Sequence, residues 1–505
     1  MNKIQKIILF LIFSAAIIIG IIVAKDYGVA WDDHFQVEIA KQSYDYVRGK
    51  NNDLFSNGGR FFGSAFEIPI YIIQSVSKDF RNQVLTRHLV LHFYFIFSLL
   101  FFFKLILRLF NSYNIALFGI VLLYLNPIIF AHSFFNTKDL AFLSTFIISL
   151  YTMWNFIDNP KKTKYILFHA IVSAFLIDIR LLGLLIPALS VGIIIIQSIL
   201  GIKENRVYKR VTTYTIVLMF FVYVFWPVLW PNPKLFFNAF IKMASYPSGN
   251  INLFLGITSN SQANPWYYIP LWIGISTPLI VLCLYLIGFI YSIKKLIYIE
   301  DSIKNTKEFF IITLTVIPID LWLLFIVLKP TLYDGWRHLY FIAPLLIVGS
   351  LFGINYLLVL IKNRALLISF KIAITISVLA MAMNLIILHP YQQVYMNCLV
   401  SKKPESIRTN WEMDYWGLSY KEGFEKLLSM DSSTTIKVKA ANISAIDNWK
   451  LVNERDSRII LVDKIEEADY LISNYRFHPK EYPYQRIFSI NRQGSRILSI
   501  YKISK

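Results

Sequence analysis

Residues 7–34 read IILFLIFSAAIIIGIIVAKDYGVAWDDH. Residues 7–24 carry no charge, and a helix of about 20 such residues crosses the hydrocarbon core of a bilayer. The run is longer than the apolar core of a secretion signal. No small-x-small cleavage site follows in Lys25-Asp26-Tyr27, so a retained membrane span is expected. Immediately beyond it the chain becomes polar and presents an acidic pair in Trp31-Asp32-Asp33-His34.

The same apolar signature repeats along the chain. Eleven runs are long enough to span: 7–24, 88–108, 114–133, 139–157, 163–179, 181–200, 211–230, 268–292, 308–328, 338–361 and 367–388. Only Asp178 and Arg180 divide the fifth run from the sixth. Of the 505 residues, 56% are hydrophobic and 16% charged, where a soluble chain carries about 25% charged residues. This excludes a soluble globular enzyme, a disordered chain and a fibrous protein, and makes membrane lipids the surroundings of the fold. The 50 Lys and Arg against 31 Asp and Glu give a net charge of +19. On a soluble protein that excess suggests nucleic acid. Here it fits the basic cytoplasmic loops of a polytopic protein, and no nucleic-acid partner is expected. With the N-terminus in the cytoplasm of a cell inner or plasma membrane, the short inner segments hold seventeen Lys and Arg and the short outer loops six. Cys283 and Cys398 build no metal site and no expected disulfide.

Three outer segments are too long for turns: 25–87, 231–267 and everything after 388. The last holds 32 charged residues in 391–505, against 49 in 1–390. Its short alternating runs at Thr435–Ala440, Arg458–Val462, Tyr470–Ser473, Ile487–Ile490 and Arg496–Tyr501 read as strands, and Tyr420–Met430 as a helix. The expectation is a polytopic α-helical membrane module over 1–388, with about 11 transmembrane helices. A soluble extracytoplasmic α/β domain over 389–505 follows it.

Ionisable residues near a membrane are costly and usually functional. Here they share a side. Asp32 and Asp33 follow the first span, and Asn136-Thr137-Lys138-Asp139 precedes the fourth. Asp178 and Arg180 stand in the next outer turn, and Tyr333-Asp334-Gly335-Trp336-Arg337-His338 in a later one. Each has a plainer explanation. An acidic pair is often a solvated loop or helix cap, Arg180 and Arg337 can reach to headgroups, and the Trp and Tyr clusters suit the interfacial belt. Their common sidedness is the stronger signal. Asp320 stands apart, inside the ninth run. No G-x-G-x-x-G, P-loop, H-E-x-x-H or C-x-x-C is present.

This chain resembles the GT-C-fold polyprenyl-phosphate-sugar glycosyltransferases, of the protein O-mannosyltransferase and aminoarabinose-transferase type. The residues that carry the resemblance are Trp31-Asp32-Asp33, Asn136-Thr137-Lys138-Asp139, Asp178-Ile179-Arg180-Leu181-Leu182-Gly183, and Trp336-Arg337-His338 with Pro344. Trp226-Pro227 through Trp230-Pro231, Pro265-Trp266-Tyr267-Tyr268-Ile269-Pro270, His389-Pro390-Tyr391-Gln392 and Asp414-Tyr415-Trp416-Gly417 add to it. The family's acidic pair is usually Asp-Glu; here it is Asp-Asp.

The resemblance implies an inverting glycosyltransferase, hexosyl- or pentosyl-transferring. It would move a sugar from a polyprenyl-phosphate carrier to an extracytoplasmic acceptor that is lipid, glycan or protein. It implies Asp32 as general base, with Asp33 as a neighbour whose charge should raise one pKa of the pair. Asp139 would orient the acceptor or a metal. Arg337, whose fork matches phosphate geometry, would hold the leaving phosphate, joined by Arg180, Lys138 and His338. Trp266, Tyr267 and Tyr268 would serve the acceptor side or a lid; by length and composition alone, the loop 231–267, with Tyr246-Pro247-Ser248-Gly249-Asn250, reads as a mobile lid. Some relatives use a divalent metal ion and others do not, and no ligand set is assigned. The alternatives are a flippase for lipid-linked sugars, which would place polar groups near the midplane of paired repeats, and a cell-surface polysaccharide polymerase or ligase.

Overall fold

The computed structural model describes residues 1–199, 201, 207–244, 251–297 and 304–503. Among the described residues nine helices are long and apolar enough to cross a membrane. In the chain's helix order these are α1 (Lys3–Val23), α4 (Phe80–Phe110), α7 (Asp139–Asp158), α9 (Leu185–Ile199) and α10 (Val207–Phe225), then α13 (Leu279–Ile297), α14 (Thr306–Leu328), α15 (Ala343–Leu360) and α16 (Arg364–Leu388). A further pair of helices passes the same test only when the two are taken together. Helices α5 (Tyr113–Tyr124) and α6 (Pro127–Phe135) meet at 64° across Leu125-Asn126. The eleventh apolar run is α8 (Thr163–Ile179), a helix of 17 residues that is about 25 Å long at 1.5 Å per residue. Arg180, in extended backbone, separates it from the turn leading into α9.

The helix starts follow local chemistry. The side chains of Asp79, Ser112, Asn126, Asn305 and Asn363 accept backbone N–H groups at the first turns of α4, α5, α6, α14 and α16, satisfying donors that the helix itself leaves orphaned. Three expected boundaries move. The second span starts at Phe80 rather than 88, because the charge of Arg87 is neutralised inside the protein and does not end the helix. The segment after the first span is therefore not an open loop to residue 87. It folds into α2 (Asp33–Val47) and α3 (Glu67–Gln74). The run 268–292 is broken by Pro278 into α12 (Tyr268–Ser276) and α13. The run 211–230 ends at Phe225, before Pro227.

Helix α7 is the axis of the bundle, with nearly every residue from Asp139 to Ile157 buried. At the periphery, α1 buries only Ala16 and Gly20, and α16 only Met381 and Leu388. Helices α13 and α15 approach through glycine. A Cβ on Gly288 would stand 1.9 Å from the Gly349 carbonyl oxygen, and one on Gly353 2.3 Å from that of Leu284. Small residues are what allow membrane helices this backbone contact.

After Leu388 the chain packs back onto the bundle: Asn397 donates to the carbonyls of Gly274 and Thr277. It then forms α17 (Ser406–Asn410), α18 (Ser419–Met430), α19 (Ala445–Asn453) and a five-stranded sheet. A hairpin of β1 (Ile251–Phe254) and β2 (Ile257–Asn260) precedes these in the chain. The sheet comprises β3 (Ile436–Ala440), β4 (Ile459–Leu461), β5 (Tyr470–Ser473), β6 (Gln485–Arg492) and β7 (Ser495–Lys502), in the order β4-β3-β5-β7-β6. Strand β3 is parallel to β4 and β5, while β7 is antiparallel to β5 and β6. All five alternating runs of the sequence are strands.

Candidate active site

Four separate stretches of chain meet at the end of the bundle that carries the α/β domain. Trp31 and Asp32 lead into α2, Asn136 to Lys138 lead into the axial helix α7, Arg180 ends α8, and Tyr333 to His338 lead into α15. They surround a cavity of about 740 Å³, lined also by Gln36, Gln42, Asn57, Gly58 and Trp416. Asp32, Asp33, Asp139, Lys138, Arg180, Arg337 and His338 all line it. A second cavity of about 520 Å³ adjoins it, walled by Leu181, Leu185, Trp226, Phe240, Leu324 and other apolar side chains. Phe62, Lys138, Arg180, Tyr333 and His338 line both.

The acids differ in what they face. Asp32 is the more exposed of the pair, its side chain 28% accessible, and its Oδ2 accepts from Arg337 Nη1 at 3.1 Å. Asp33 turns into the protein. Its carboxylate accepts from Arg87 Nη2 at 3.1 Å, and the same nitrogen donates to Glu67 at 3.2 Å. Burial lifts Asp33 to about 6 against the pull of Arg87, and Glu67 adds to the rise. Burial is thus the first cause of the rise on Asp33, with Glu67 adding to it, where the sequence suggested repulsion within the acidic pair. Asp33 is an anchor of α2 on α4. Asp139 is paired with Arg180 and accepts from Asn136 Nδ2 at 2.9 Å, while Asn136 Oδ1 caps α7 by accepting from the Asp139 backbone N–H.

The cations are also differently held. Arg337 stacks between the rings of Tyr333 and Trp416, 4.7 and 4.6 Å from their centroids. Its second arm points to Asp334 at 3.6 Å. Asp334 in turn takes a hydrogen bond of 3.1 Å from Arg476 of the α/β domain. Lys138 lies 3.1 Å from the centroid of the Phe62 ring, and among the described residues no carboxylate comes within ion-pairing distance of it. Burial holds its ammonium well below the ordinary lysine range, and the nearby Arg180 charge adds to this. His338 packs edge-on to Tyr333 at 4.8 Å.

The loop bearing Asp32 is pinned by the α/β domain. Asn448 of α19 brackets Val29, accepting from its N–H at 2.9 Å and donating to its carbonyl at 2.8 Å. Trp31 N–H donates to the Trp416 carbonyl at 3.2 Å, and His34 pairs with Asp447 at 3.2 Å. A Cβ on Gly28 would meet the Leu418 carbonyl at 2.5 Å, so only glycine lets the chain pass there.

Not every expected residue is here. Trp266, Tyr267 and Tyr268 do not line the acidic cavity. Trp266 and Tyr268 border a separate crevice with Trp322 and Lys329, while Tyr267 and Tyr268 pack on Phe254 of the β1–β2 hairpin. The hairpin supplies the apolar partner that draws these rings away. The lid residues Tyr246 to Asn250 lie outside the described residues. Asp320 is exposed on α14 and lines neither cavity. Sequence reasoning passed over Arg87, Glu67, Gln36 and Arg476. Only Arg87 left a trace, as a cation directly before an apolar run. Among the described residues no three His, Cys, Asp or Glu side chains gather as a metal-binding group, and Asp32 and Asp139 each face a guanidinium. The donor set for a divalent ion is not assembled in the cavity.

No family profile matches the chain, and no curated protein matches it. Among solved structures it is similar to ArnT from Cupriavidus metallidurans in the apo state, with TM-score 0.48, 11% identity, and 97% of each chain covered. The same protein bound to undecaprenyl phosphate gives TM-score 0.47 and 12% identity, over 97% of this chain and 98% of that one. The oligosaccharyltransferase of Archaeoglobus fulgidus in the apo form gives TM-score 0.48 and 11% identity over 90% of this chain; this chain spans 65% of its length.

Proposed function

We propose that the chain is an inverting glycosyltransferase that takes a sugar from a polyprenyl-phosphate carrier at the outer face of the membrane. One observation carries this reading: a polar cavity holding an accessible carboxylate and several cations adjoins an apolar cavity through a shared wall containing Lys138, Arg180 and His338. An amphiphile with a phosphate head and an isoprenoid tail fits across that wall. The tail lies among Leu181, Leu185, Trp226 and Leu324, the phosphate meets the cations, and the sugar projects toward Asp32.

The chemistry follows from this placement. The acceptor hydroxyl oxygen forms a bond to the anomeric carbon as the bond from that carbon to the phosphate oxygen breaks. The hydroxyl proton passes to Asp32, and the electron pair leaves on the phosphate. A positioned carboxylate base contributes about 10²–10⁴-fold, and cations fixed where charge develops contribute more. The Asp32–Arg337 pair would open when phosphate takes the guanidinium, which frees the carboxylate for the acceptor. Asp139 holds Arg180 for the same phosphate. The excess of Lys and Arg in the opposite loops supports a cytoplasmic N-terminus and an extracytoplasmic cavity and α/β domain.

The test is turnover of a panel of polyprenyl-phosphate sugars by the purified chain in detergent, read as release of free polyprenyl phosphate. Release that disappears in Asp32→Asn supports the reading, and the productive donor identifies the sugar. Full turnover in Asp32→Asn removes Asp32 as base. Donor binding without turnover, with movement of donor across a vesicle bilayer, makes the protein a flippase.

A further inference from the structure

The acidic cavity has two chemically different ends. Lys138, Arg180 and His338 lie where it joins the apolar cavity, while Arg337 lines the acidic cavity alone, paired with Asp32. The remainder is lined by Gln36, Glu38, Gln42, Ser56, Asn57 and Gly58, none of which lines the apolar cavity. Among the described residues Arg337, already paired with Asp32, is the one Lys or Arg that lines the acidic cavity without also lining the apolar one. Aromatic rings border it, among them Trp31, and Phe35 at 44% exposure, packed edge to face with centroids 6.1 Å apart.

Gln36 is the decisive residue. It lies one helical turn after Asp32, its backbone N–H donating to the Asp32 carbonyl at 3.2 Å, so the two side chains share a face of α2. It is only 9% exposed, yet among the described residues its carboxamide has no hydrogen-bond partner, and it lines the cavity. A buried polar group is normally satisfied. The neighbouring amides are satisfied and therefore fixed: Asn57 Nδ2 donates to Gln42 Oε1 at 2.7 Å, Asn57 Oδ1 accepts from Gly59 N–H at 2.7 Å, and Gln42 Nε2 donates to Glu38 at 3.1 Å. A free amide in a rigid polar frame, on the same face as the base, waits for a ligand that both donates and accepts hydrogen bonds.

The geometry points to an acceptor subsite at this end that takes a neutral carbohydrate, with Gln36 binding the sugar ring beside the hydroxyl that Asp32 deprotonates. This rests on the transferase reading above and narrows its acceptor to a glycan. Vicinal hydroxyls match a carboxamide, which offers both a donor and an acceptor, and the aromatic rings suit the apolar face of a pyranose. A phosphorylated glycolipid would bring negative charge against Glu38, where the one guanidinium on this side, Arg337, is already paired with Asp32. An acylated acceptor would find no apolar channel at this end.

The experiment is equilibrium binding to the full-length chain in lipid nanodiscs, using three probes: neutral oligosaccharides ending in hexose or N-acetylhexosamine, a phosphorylated glycolipid, and a serine- and threonine-containing peptide. Saturable binding of a neutral oligosaccharide is expected, weakened about tenfold in Gln36→Leu and less in Gln36→Asn, which keeps a shorter amide. The inference is overturned if the glycolipid or the peptide binds while neutral oligosaccharides do not, if none of the three binds, or if Gln36→Leu binds the glycan as wild type does. The wild-type profile decides the acceptor class even if a variant fails to fold. Donor turnover measured in parallel separates the two readings. Turnover without glycan binding leaves the transferase and removes the glycan subsite. Glycan binding without turnover of any donor does the reverse.

Discussion

Replacing Asp32 with Asn should slow turnover and tighten donor binding together. Asp32 holds Arg337 at 3.1 Å, and the donor phosphate must take that guanidinium from it. Two unit charges at 3.1 Å attract by about 1.3 kcal/mol in bulk water and by about 5 kcal/mol at an effective dielectric of 20. The Arg337 side chain is 4% exposed and that of Asp32 28%, so the pair lies between these limits. The phosphate recovers most of the attraction through its own bond to Arg337, which leaves a net competition near the lower figure. Removing the Asp32 charge should thus lower the Kd for polyprenyl phosphate about tenfold, the equivalent of about 1.4 kcal/mol. The same change removes the proposed general base and should reduce kcat by about 10²–10⁴-fold. Binding is measured by titrating the purified chain with polyprenyl phosphate, and turnover by its release from the sugar-loaded carrier. A variant that binds polyprenyl phosphate no more tightly than wild type would show that Arg337 does not meet the phosphate, and the placement of the donor would fall with it.

Three other outcomes are expected. Arg87→Met leaves Asp33 and Glu67 buried without their cation, a loss of about 3–5 kcal/mol. Its thermal midpoint in detergent should fall well below that of Asp33→Asn, and an Arg87→Met protein as stable as wild type would contradict the anchoring role. Lys138 is held by burial below the ordinary lysine value of about 10.4, and a bound phosphate favours its ammonium form. Binding therefore takes up a proton, so affinity for polyprenyl phosphate should fall as pH rises through a window below the ordinary lysine range. That slope should vanish in Lys138→Gln, and superimposable profiles would place the phosphate elsewhere. Gly288→Val drives a side chain into the Gly349 carbonyl 1.9 Å from the Cβ position. It should cost at least about 1–3 kcal/mol and deplete folded protein from the membrane fraction, while Gly192→Ala, which meets nothing within 4 Å, should accumulate normally.

The membrane architecture was legible in the sequence because its cause is local. A helix crossing hydrocarbon needs an unbroken apolar run whatever surrounds it, so ten of the runs reappear as spans or a broken span, and α8 as the shorter eleventh helix. The strands of the α/β domain were legible for a similar reason, since period-two alternation marks one buried face. Boundaries failed where a distant partner changed the cost of a residue. Arg87 looked like a loop cation until Asp33 and Glu67 closed on it, and Trp266 to Tyr268 looked like cavity walls, whereas Tyr267 and Tyr268 pack on Phe254 of the β1–β2 hairpin and Trp266 on Trp322.

The sequence by itself determined which ionisable groups share one end of the bundle, because sidedness follows from counting spans. It carried Asp32, Asp139, Lys138, Arg180, Arg337 and His338 into one candidate set. Only the tertiary structure decided their partners. Asp32 and Asp33 are adjacent in the chain, but the carboxylate of Asp32 pairs with Arg337 while that of Asp33 pairs with buried Arg87. Gln36 became visible only as a cavity-lining amide with no hydrogen-bond partner among the described residues. The physical reason is that charge pairing and desolvation act through space over a few ångströms, between residues such as Asp32 and Arg337 that are 305 positions apart in the chain, whereas the hydrophobic periodicity that sets helices and strands acts along it.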